Sequence, residues 1–511
     1  MPEYGLEKEK EQKEADKLAE YKSTLTNDEL EELVKKTKEL KEYQDTPSSQ
    51  EDLEKIPMLE LSDIKREPAK DYNDVKSVDG IKIVHHNIFT NKIAYINMSF
   101  DTKCVPDELI PYMGLLGSTL SLMDTKNYTY PELTNEININ CGGLATGTAL
   151  YSDKVDFSKN TIVYEVKSKA LYEKVPFVLG MMEEIMYNTR FDDYKRLKEI
   201  IARIKSRLEA SLMGQGHSIA MLECCAQFSE SAYYSDILRG YKYYEFIKKL
   251  DEEFEQNKTQ IVDKLNKLVG YIFNKDNVIV SLTADDEGYD CFVKALSAKS
   301  CNIKDEHFNT AVRSFIPVNV KTGYTSASQV QYVARCGNFV KDGYKYTGAL
   351  KVLKVIFSYD YLWINVRVKG GAYGCMSGSS RNGDFYMVSY RDPNLEKTND
   401  IYEGAADYIR NFDVSRRDMV KFIIGTIGEI DAPLTPSAIG SRSFTHYMCN
   451  CTEDMLRKDR EEVLDATVES IRELAPLIES AVGQNYLCVV GNQKQINEAA
   501  DLFDEIKPLI G

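Results

Sequence analysis

Leu362-Trp363-Ile364-Asn365-Val366-Arg367-Val368-Lys369-Gly370-Gly371-Ala372-Tyr373-Gly374 is the stretch around which the chain is organised. Trp363, Ile364, Val366 and Val368 favour a pleated, half-buried strand, so the run is expected to be a β-strand ending in a glycine turn. Gly370, Gly371 and Gly374 permit backbone angles and close approaches that a side chain would forbid, which leaves room for a second backbone. Arg367 offers a fixed fork of donors and Tyr373 a phenolic hydroxyl. Such a pair suits a peptide carbonyl, or the oxyanion that develops from it. The same residues also describe a tight turn at a sheet edge with Arg367 in a surface ion pair, and spacing alone does not separate the two.

Outward from this stretch the chain repeats itself. In the first copy Ile81-Lys82-Ile83-Val84 and Ile93-Ala94-Tyr95-Ile96-Asn97-Met98 read as strands around the turn residues Thr90-Asn91. A helix at about 107–124 follows, then Cys141-Gly142-Gly143 with strands over 146–151 and 161–166. Two amphipathic helices come next, one carrying Leu171, Val175, Val178, Leu179, Met182, Ile185 and Met186, the other Leu197, Ile200, Ile201, Ile204 and Leu208. Val278-Ile279-Val280-Ser281-Leu282 closes the unit as a buried strand.

In the second copy Gln331-Tyr332-Val333-Ala334 stands for Ala94-Tyr95-Ile96-Asn97, and Gly370-Gly371-Ala372 for Gly142-Gly143-Leu144. Residues 385–390 stand for 161–166, Phe412-Asp413 for Phe191-Asp192, and Tyr486-Leu487-Cys488-Val489-Val490 for the closing strand. A repeat of roughly 200 residues far exceeds solenoid periods and means two homologous domains. Strands in hairpins followed by grouped helices give an α+β fold, each domain a mainly antiparallel sheet with helices packed on one face. A helical hairpin precedes them, with Thr26-Asn27-Asp28-Glu29 as a capping box and Thr46-Pro47-Ser48-Ser49 as the stop. Its stripe of Leu30, Leu33, Val34 and Leu40 is too narrow to bury much alone, so it is expected to lie across a larger body. The expected organisation is a hairpin linker at 1–50, a connector at 51–77, and domains at 78–300 and 301–511. The first copy, Asn140-Cys141-Gly142-Gly143-Leu144-Ala145, keeps the glycines but has neither the arginine nor the tyrosine. Only the second copy adds Arg367 and Tyr373.

Composition sets outer limits. With 511 residues, 43% hydrophobic and 28% charged, the chain reads as soluble and globular, with two or three domains. It holds no apolar run long enough to span a membrane and opens on a charged Lys/Glu segment, so it is expected in the cytoplasm or otherwise inside a cell. A net charge of −16 argues against nucleic acid or an anionic membrane as partner. Eleven scattered cysteines fit a reducing compartment, and His446, Cys449 and Cys451 lack a fourth ligand at zinc-finger spacing. Neither a phosphate loop nor a G-x-S-x-G nucleophile elbow is present.

Arg367-Val368-Lys369-Gly370-Gly371-Ala372-Tyr373-Gly374 resembles the substrate-gripping segment in the C-terminal half of presequence-protease-type enzymes, a branch of the pitrilysin and insulinase zinc metallopeptidases. Residues 7–57, with Thr37-Lys38-Glu39-Leu40-Lys41 and Ile56-Pro57, are similar to the family's linker. His85-His86-Asn87-Ile88-Phe89-Thr90-Asn91 and Thr125-Lys126-Asn127-Tyr128-Thr129-Tyr130-Pro131-Glu132-Leu133 are similar to its third domain.

The resemblance implies half of a clamshell peptidase acting on unfolded peptides in a closed chamber. Arg367 and Tyr373 would be its catalytic donors, with Gly370, Gly371 and Ala372 binding substrate. It also implies a zinc ion held by two histidines of an H-x-x-E-H helix and a distant glutamate. The five histidines here, His85, His86, His217, His307 and His446, form no such motif. The zinc is therefore expected in an N-terminal half, in the same chain or a separate one, with no metal bound by this chain and no activity from it alone. The opening linker suggests a longer enzyme cut just before the hairpin. The alternative is a stand-alone inactive subunit or scaffold that pairs with a separate zinc-bearing chain.

Overall fold

The computed structural model describes residues 6–46, 49, 51–52, 55–298 and 303–510. It divides into two units, residues 1–63 and 64–511. The first holds the expected helices Leu6–Thr24 and Asn27–Asp45. Thr26 N–H donates to Glu29 Oε2 at 2.8 Å and Glu29 N–H to Thr26 Oγ1 at 3.3 Å, so the capping box forms as its sequence requires. Pro47 and Ser48 of the stop signal, and the boundary expected at 300/301, lie outside the described residues.

The second unit is built on two six-stranded sheets. The strands of the first are β1 (Asp74–Val78), β2 (Ile81–Asn87), β3 (Ile93–Asp101), β4 (Leu144–Ser152), β5 (Asn160–Leu171) and β6 (Val278–Ala284), in the order β1-β2-β6-β3-β5-β4. Those of the second are β7 (Thr322–Ser326), β8 (Tyr332–Asn338), β9 (Gly374–Ser379), β10 (Asp384–Tyr390), β11 (Tyr486–Asn492) and β12 (Glu505–Pro508), in the order β12-β7-β11-β8-β10-β9. Five strands of each sheet correspond one to one, including the parallel contact of β2 with β6 and of β7 with β11. The α+β duplication is thus present in the topology. Only the outermost strand differs: β1 arrives antiparallel from the segment before β2, whereas β12 arrives parallel from the other end of the sequence. The expected connector therefore ends in an edge strand. Leu171, expected in the first long helix, ends β5 instead, and that helix runs Val175–Asn188.

Alternation along the central strands decides what covers each face. In β3, Ala94, Ile96, Met98 and Phe100 enter the large core formed with the domain's own helices. In β8, Val333 and Arg335 face their own helices: Arg335, 5% exposed, donates to Val482 O at 3.1 Å, Asn399 Oδ1 at 2.9 Å and Glu403 Oε1 at 2.8 Å. The opposite faces are covered crosswise. Helix Gly216–Ala226, from the first half, packs its Ala220, Cys224 and Cys225 on Tyr332, Ala334, Cys336 and Cys488 of the second sheet. Helix Pro436–Met448, from the second half, brings Phe444 onto Val84 and Val163 of the first. Both approaches need glycine. A Cβ on Gly216 would sit 2.3 Å from the Tyr332 ring, and one on Gly440 1.8 Å from Thr283 Oγ1. Each half thus completes the other's sheet.

The segment 362–368 is not a strand. Helix Ala349–Ile356 continues through π-helical turns at Phe357–Tyr361 and Trp363–Val368, and β9 begins only at Gly374. Leu350, Leu353, Phe357, Tyr361, Leu362 and Val366 are all buried, and they recur at helical spacing. That stripe extends the preceding helix, and its burial outweighs the β propensity of the residues between. Trp363, Ile364 and Val368 are apolar yet exposed, which gives the run its strand-like pattern. Among the described residues no helix is long and apolar enough to cross a membrane.

Candidate functional site

The π-helical end positions Arg367. Its Cζ lies 3.8 Å from the centroid of the Trp363 ring, four residues earlier, and 6.0 Å from that of Tyr373. A guanidinium stacked on an indole is held by the ring's quadrupole while its N–H edge stays free to donate. The helix ends in a widened cap. Gly371 N–H donates to Arg367 O at 2.8 Å and Ala372 N–H to Val366 O at 3.1 Å, each bond spanning one residue more than in an ordinary Schellman ending. Gly371 has φ +83, and a Cβ on Gly370 would fall 2.4 Å from Val366 O, so both positions require glycine. In the first copy Gly143 takes the same left-handed role at φ +108.

Beyond the turn, Tyr373 N–H is shared between Tyr390 O at 3.1 Å and Arg391 O at 3.2 Å. The Tyr373 ring packs edge-on against Tyr390, with centroids 5.9 Å apart, and the side chain is 68% exposed, so its hydroxyl is open to a ligand. Asn394 Nδ2 donates to Gly370 O at 2.6 Å. Asn394 is held in turn by buried Asp392, which accepts from Asn394 N–H at 2.9 Å and from Thr398 Oγ1 at 2.7 Å. Burial pushes the Asp392 carboxyl above its usual range. Behind the site, burial pushes the Cys375 thiol up to about 11, against the opposing charge of Arg367. Helix Gly216–Ala226 contributes His217, whose ring meets Tyr390 edge-on at 4.8 Å; burial lowers its pKa.

Arg367, Gly371, Ala372 and Tyr373 share one surface cleft of about 620 Å³, with Trp363, Val368 and Arg391 as its other walls. Gly370 is absent from the lining and acts through its backbone, while Ala372 is buried as the floor. Sequence reasoning misses two members. Trp363 reads as a strand residue there, whereas it is the platform for Arg367. Arg391, at φ +48, adds a second guanidinium, and the signal for it is the Asp392-Pro393-Asn394 turn directly after a strand.

The residues present do not fit the zinc site that the family implies. His85 Nε2 pairs with Ala284 O at 3.0 Å, His86 Nε2 with Ser281 Oγ at 2.9 Å, and His446 Nδ1 with Asp71 Oδ2 at 2.6 Å. Among the described residues the single group with ligand spacing is Asp276, Asp305 and His307. All three are exposed, and His307 is already bonded to Asp276.

A family model for the segment associated with subfamily C of peptidase M16 matches residues 1–250, and one described as PreP C-terminal domain matches residues 323–492, which include the glycine turn. Protein HypA of Clostridium perfringens is 38% identical, covering 100% of this chain and 52% of its own length. Presequence protease 1, chloroplastic/mitochondrial, of Arabidopsis thaliana is 30% identical, covering 99% of this chain and 47% of its own length. The chain thus spans about half the length of the curated relatives it matches. A peptidase M16 inactive domain from Pseudomonas fluorescens, 14% identical, covers 85% of this chain and 98% of its own with a TM-score of 0.56. A conserved protein from Enterococcus faecalis V583, 13% identical, covers 81% and 97% with a TM-score of 0.59. These last two attest the fold alone. The chain therefore belongs to the presequence-protease branch of the peptidase M16 family, as a presequence-protease-like C-terminal half.

Proposed function

We propose that this chain is the non-zinc-binding half of a cytoplasmic zinc metalloendopeptidase that degrades unfolded peptides in a closed chamber. The observation that carries the reading is that Arg367, pre-aimed by Trp363, and Tyr373, with an open hydroxyl, face one cleft. The equivalent turn of the first copy has the glycines without either donor. The zinc and its activated water belong to the N-terminal half, in the same polypeptide or another.

An extended peptide would lie between the halves with the carbonyl of its scissile bond toward the cleft. Arg367 N–H groups and the Tyr373 hydroxyl donate to that oxygen as it gains charge, and the Trp363 face keeps the guanidinium from having to reorganise. Gly371, lacking a side chain, lets the peptide backbone close on the turn. The buried Asp392 and Asn394 fix the turn against β10 so that both donors keep their spacing.

Reconstitution tests this. The chain alone should not cleave an unfolded peptide in the presence of zinc, and adding the zinc-bearing half should restore cleavage by at least a hundredfold. Cleavage by the chain alone, or by the zinc-bearing half at full rate without it, would refute the proposal.

A further inference from the structure

A second cleft, sharing no residue with the first, lies on the first domain where helices Ile110–Thr119, Tyr194–Gly214 and Glu230–Arg239 meet the middle of edge strand β4. Its volume is about 610 Å³, within the range of small-molecule sites. Three arginines converge on it: Arg203 and Arg207, one helical turn apart, and Arg239 from the end of the neighbouring helix. In a chain of net charge −16, with 80 acidic residues to draw on, none of the three has a carboxylate within 4 Å among the described residues. Arg239 closes its helix, where a cation is favoured by the helix dipole. Arg203 and Arg207 stand on the exposed face of theirs.

The floor supplies an independent observation. Tyr243 is 5% exposed and lines the cleft, and its buried hydroxyl lies beside the Ser118 side chain and within the field of Arg207. Ser118 Oγ also donates to Gly114 O, at 3.4 Å. Glycines shape the opening. The Tyr243 ring lies where a Cβ on Gly114 would be, at 2.7 Å, and Gly147 on the edge strand has no atom within 4 Å of a Cβ position. Ser121 and Thr148 add neutral donors at the rim.

We propose that this cleft binds a small polyanion carrying two or more phosphate groups. Three guanidinium forks match phosphate oxygens in pairs, and their combined charge balances two or three phosphate charges. The hydroxyls of Ser121 and Thr148 bind oxygens that the arginines do not reach, and the Tyr243 hydroxyl meets the innermost one. A single orthophosphate would leave most of the volume empty.

Calorimetric titration of the full chain at moderate salt tests this, with inorganic tripolyphosphate as probe and orthophosphate and citrate as comparisons. Tripolyphosphate should bind at least tenfold more tightly than either, weakening steeply with added salt. Arg207→Gln and Arg239→Gln should each reduce affinity about tenfold, and Arg207→Lys should restore only part. Tyr243→Phe, which removes one hydroxyl and keeps the packing, should reduce affinity several-fold. Because the arginines are exposed, the Gln variants should melt like the parent. Absence of tripolyphosphate binding, binding unchanged by the arginine substitutions, or citrate binding as tight as tripolyphosphate would each overturn the assignment.

Discussion

Trp363 fixes the Arg367 guanidinium before any substrate arrives, so its loss should be felt in turnover although it need not touch the peptide. A partly exposed cation–π contact contributes about 1 kcal/mol, which corresponds to roughly a fivefold loss. Trp363→Ala in the assembled enzyme should lower kcat by about that factor while leaving peptide binding little changed, and should add little once Arg367 is already Ala. Comparing kcat of the two single variants and the double variant checks this; full additivity would mean that Trp363 acts elsewhere. At this scale the sequence is readable where a residue's chemistry is unusual. Gly370, Gly371, Arg367 and Tyr373 stand out because glycine pairs and forked donors have few roles. Trp363 and Arg391 do not, because an aromatic in an apolar run and an arginine after a strand each have common structural explanations.

The element carrying Arg367 shows where propensity misleads. Trp363, Ile364 and Val368 are exposed at the cleft, so their apolar character reflects the site rather than a core, whereas the buried positions follow the helix begun at Ala349. The π turns also widen the helix end, so that the cap bonds reach one residue further than usual. The crosswise helices are equally hidden. Periodicity reports that Gly216–Ala226 and Pro436–Met448 each have an apolar face, but not which sheet receives it. Gly440→Ala should destabilise the second unit by about 2 kcal/mol through overpacking against Thr283, and Thr283→Ala in the same molecule should recover most of the loss. Thermal unfolding of the three variants measures this; equal melting points would show that the helix is free to shift.

For the whole molecule, the duplication is legible because five strands, the glycine turn and the helix pairs recur in order, while the closing edge strands β1 and β12 come from unrelated ends and leave no repeat to find. The junction of the two halves also carries a titratable pair. Asp236 is fully buried beside Glu223, which accepts from Tyr324 Oη of β7 at 3.2 Å. Asp236 Oδ2 and Glu223 Oε2 are both buried without a hydrogen-bond donor. Burial, then the Glu223 charge, raises the Asp236 pKa well above its usual value; Lys242 Nζ, 3.7 Å away, opposes this only in part. An acid whose pKa is raised in the folded state stabilises most below its unfolded pKa, and that stability drains as pH climbs toward the folded value. Asp236→Asn should therefore raise Tm by roughly 3 °C at pH 8 and by less at pH 5. A gain that is equal at both pH values, or a loss at pH 8, would contradict the raised Asp236 pKa.

The central claim is that this half donates to the oxyanion. Its most direct test is single-turnover cleavage of an unfolded peptide by the assembled enzyme carrying Arg367→Ala or Tyr373→Phe. Each substitution should lower the rate of the chemical step about 10²-fold while peptide affinity changes only a few-fold. An unchanged chemical step, or a loss confined to affinity, would contradict the account.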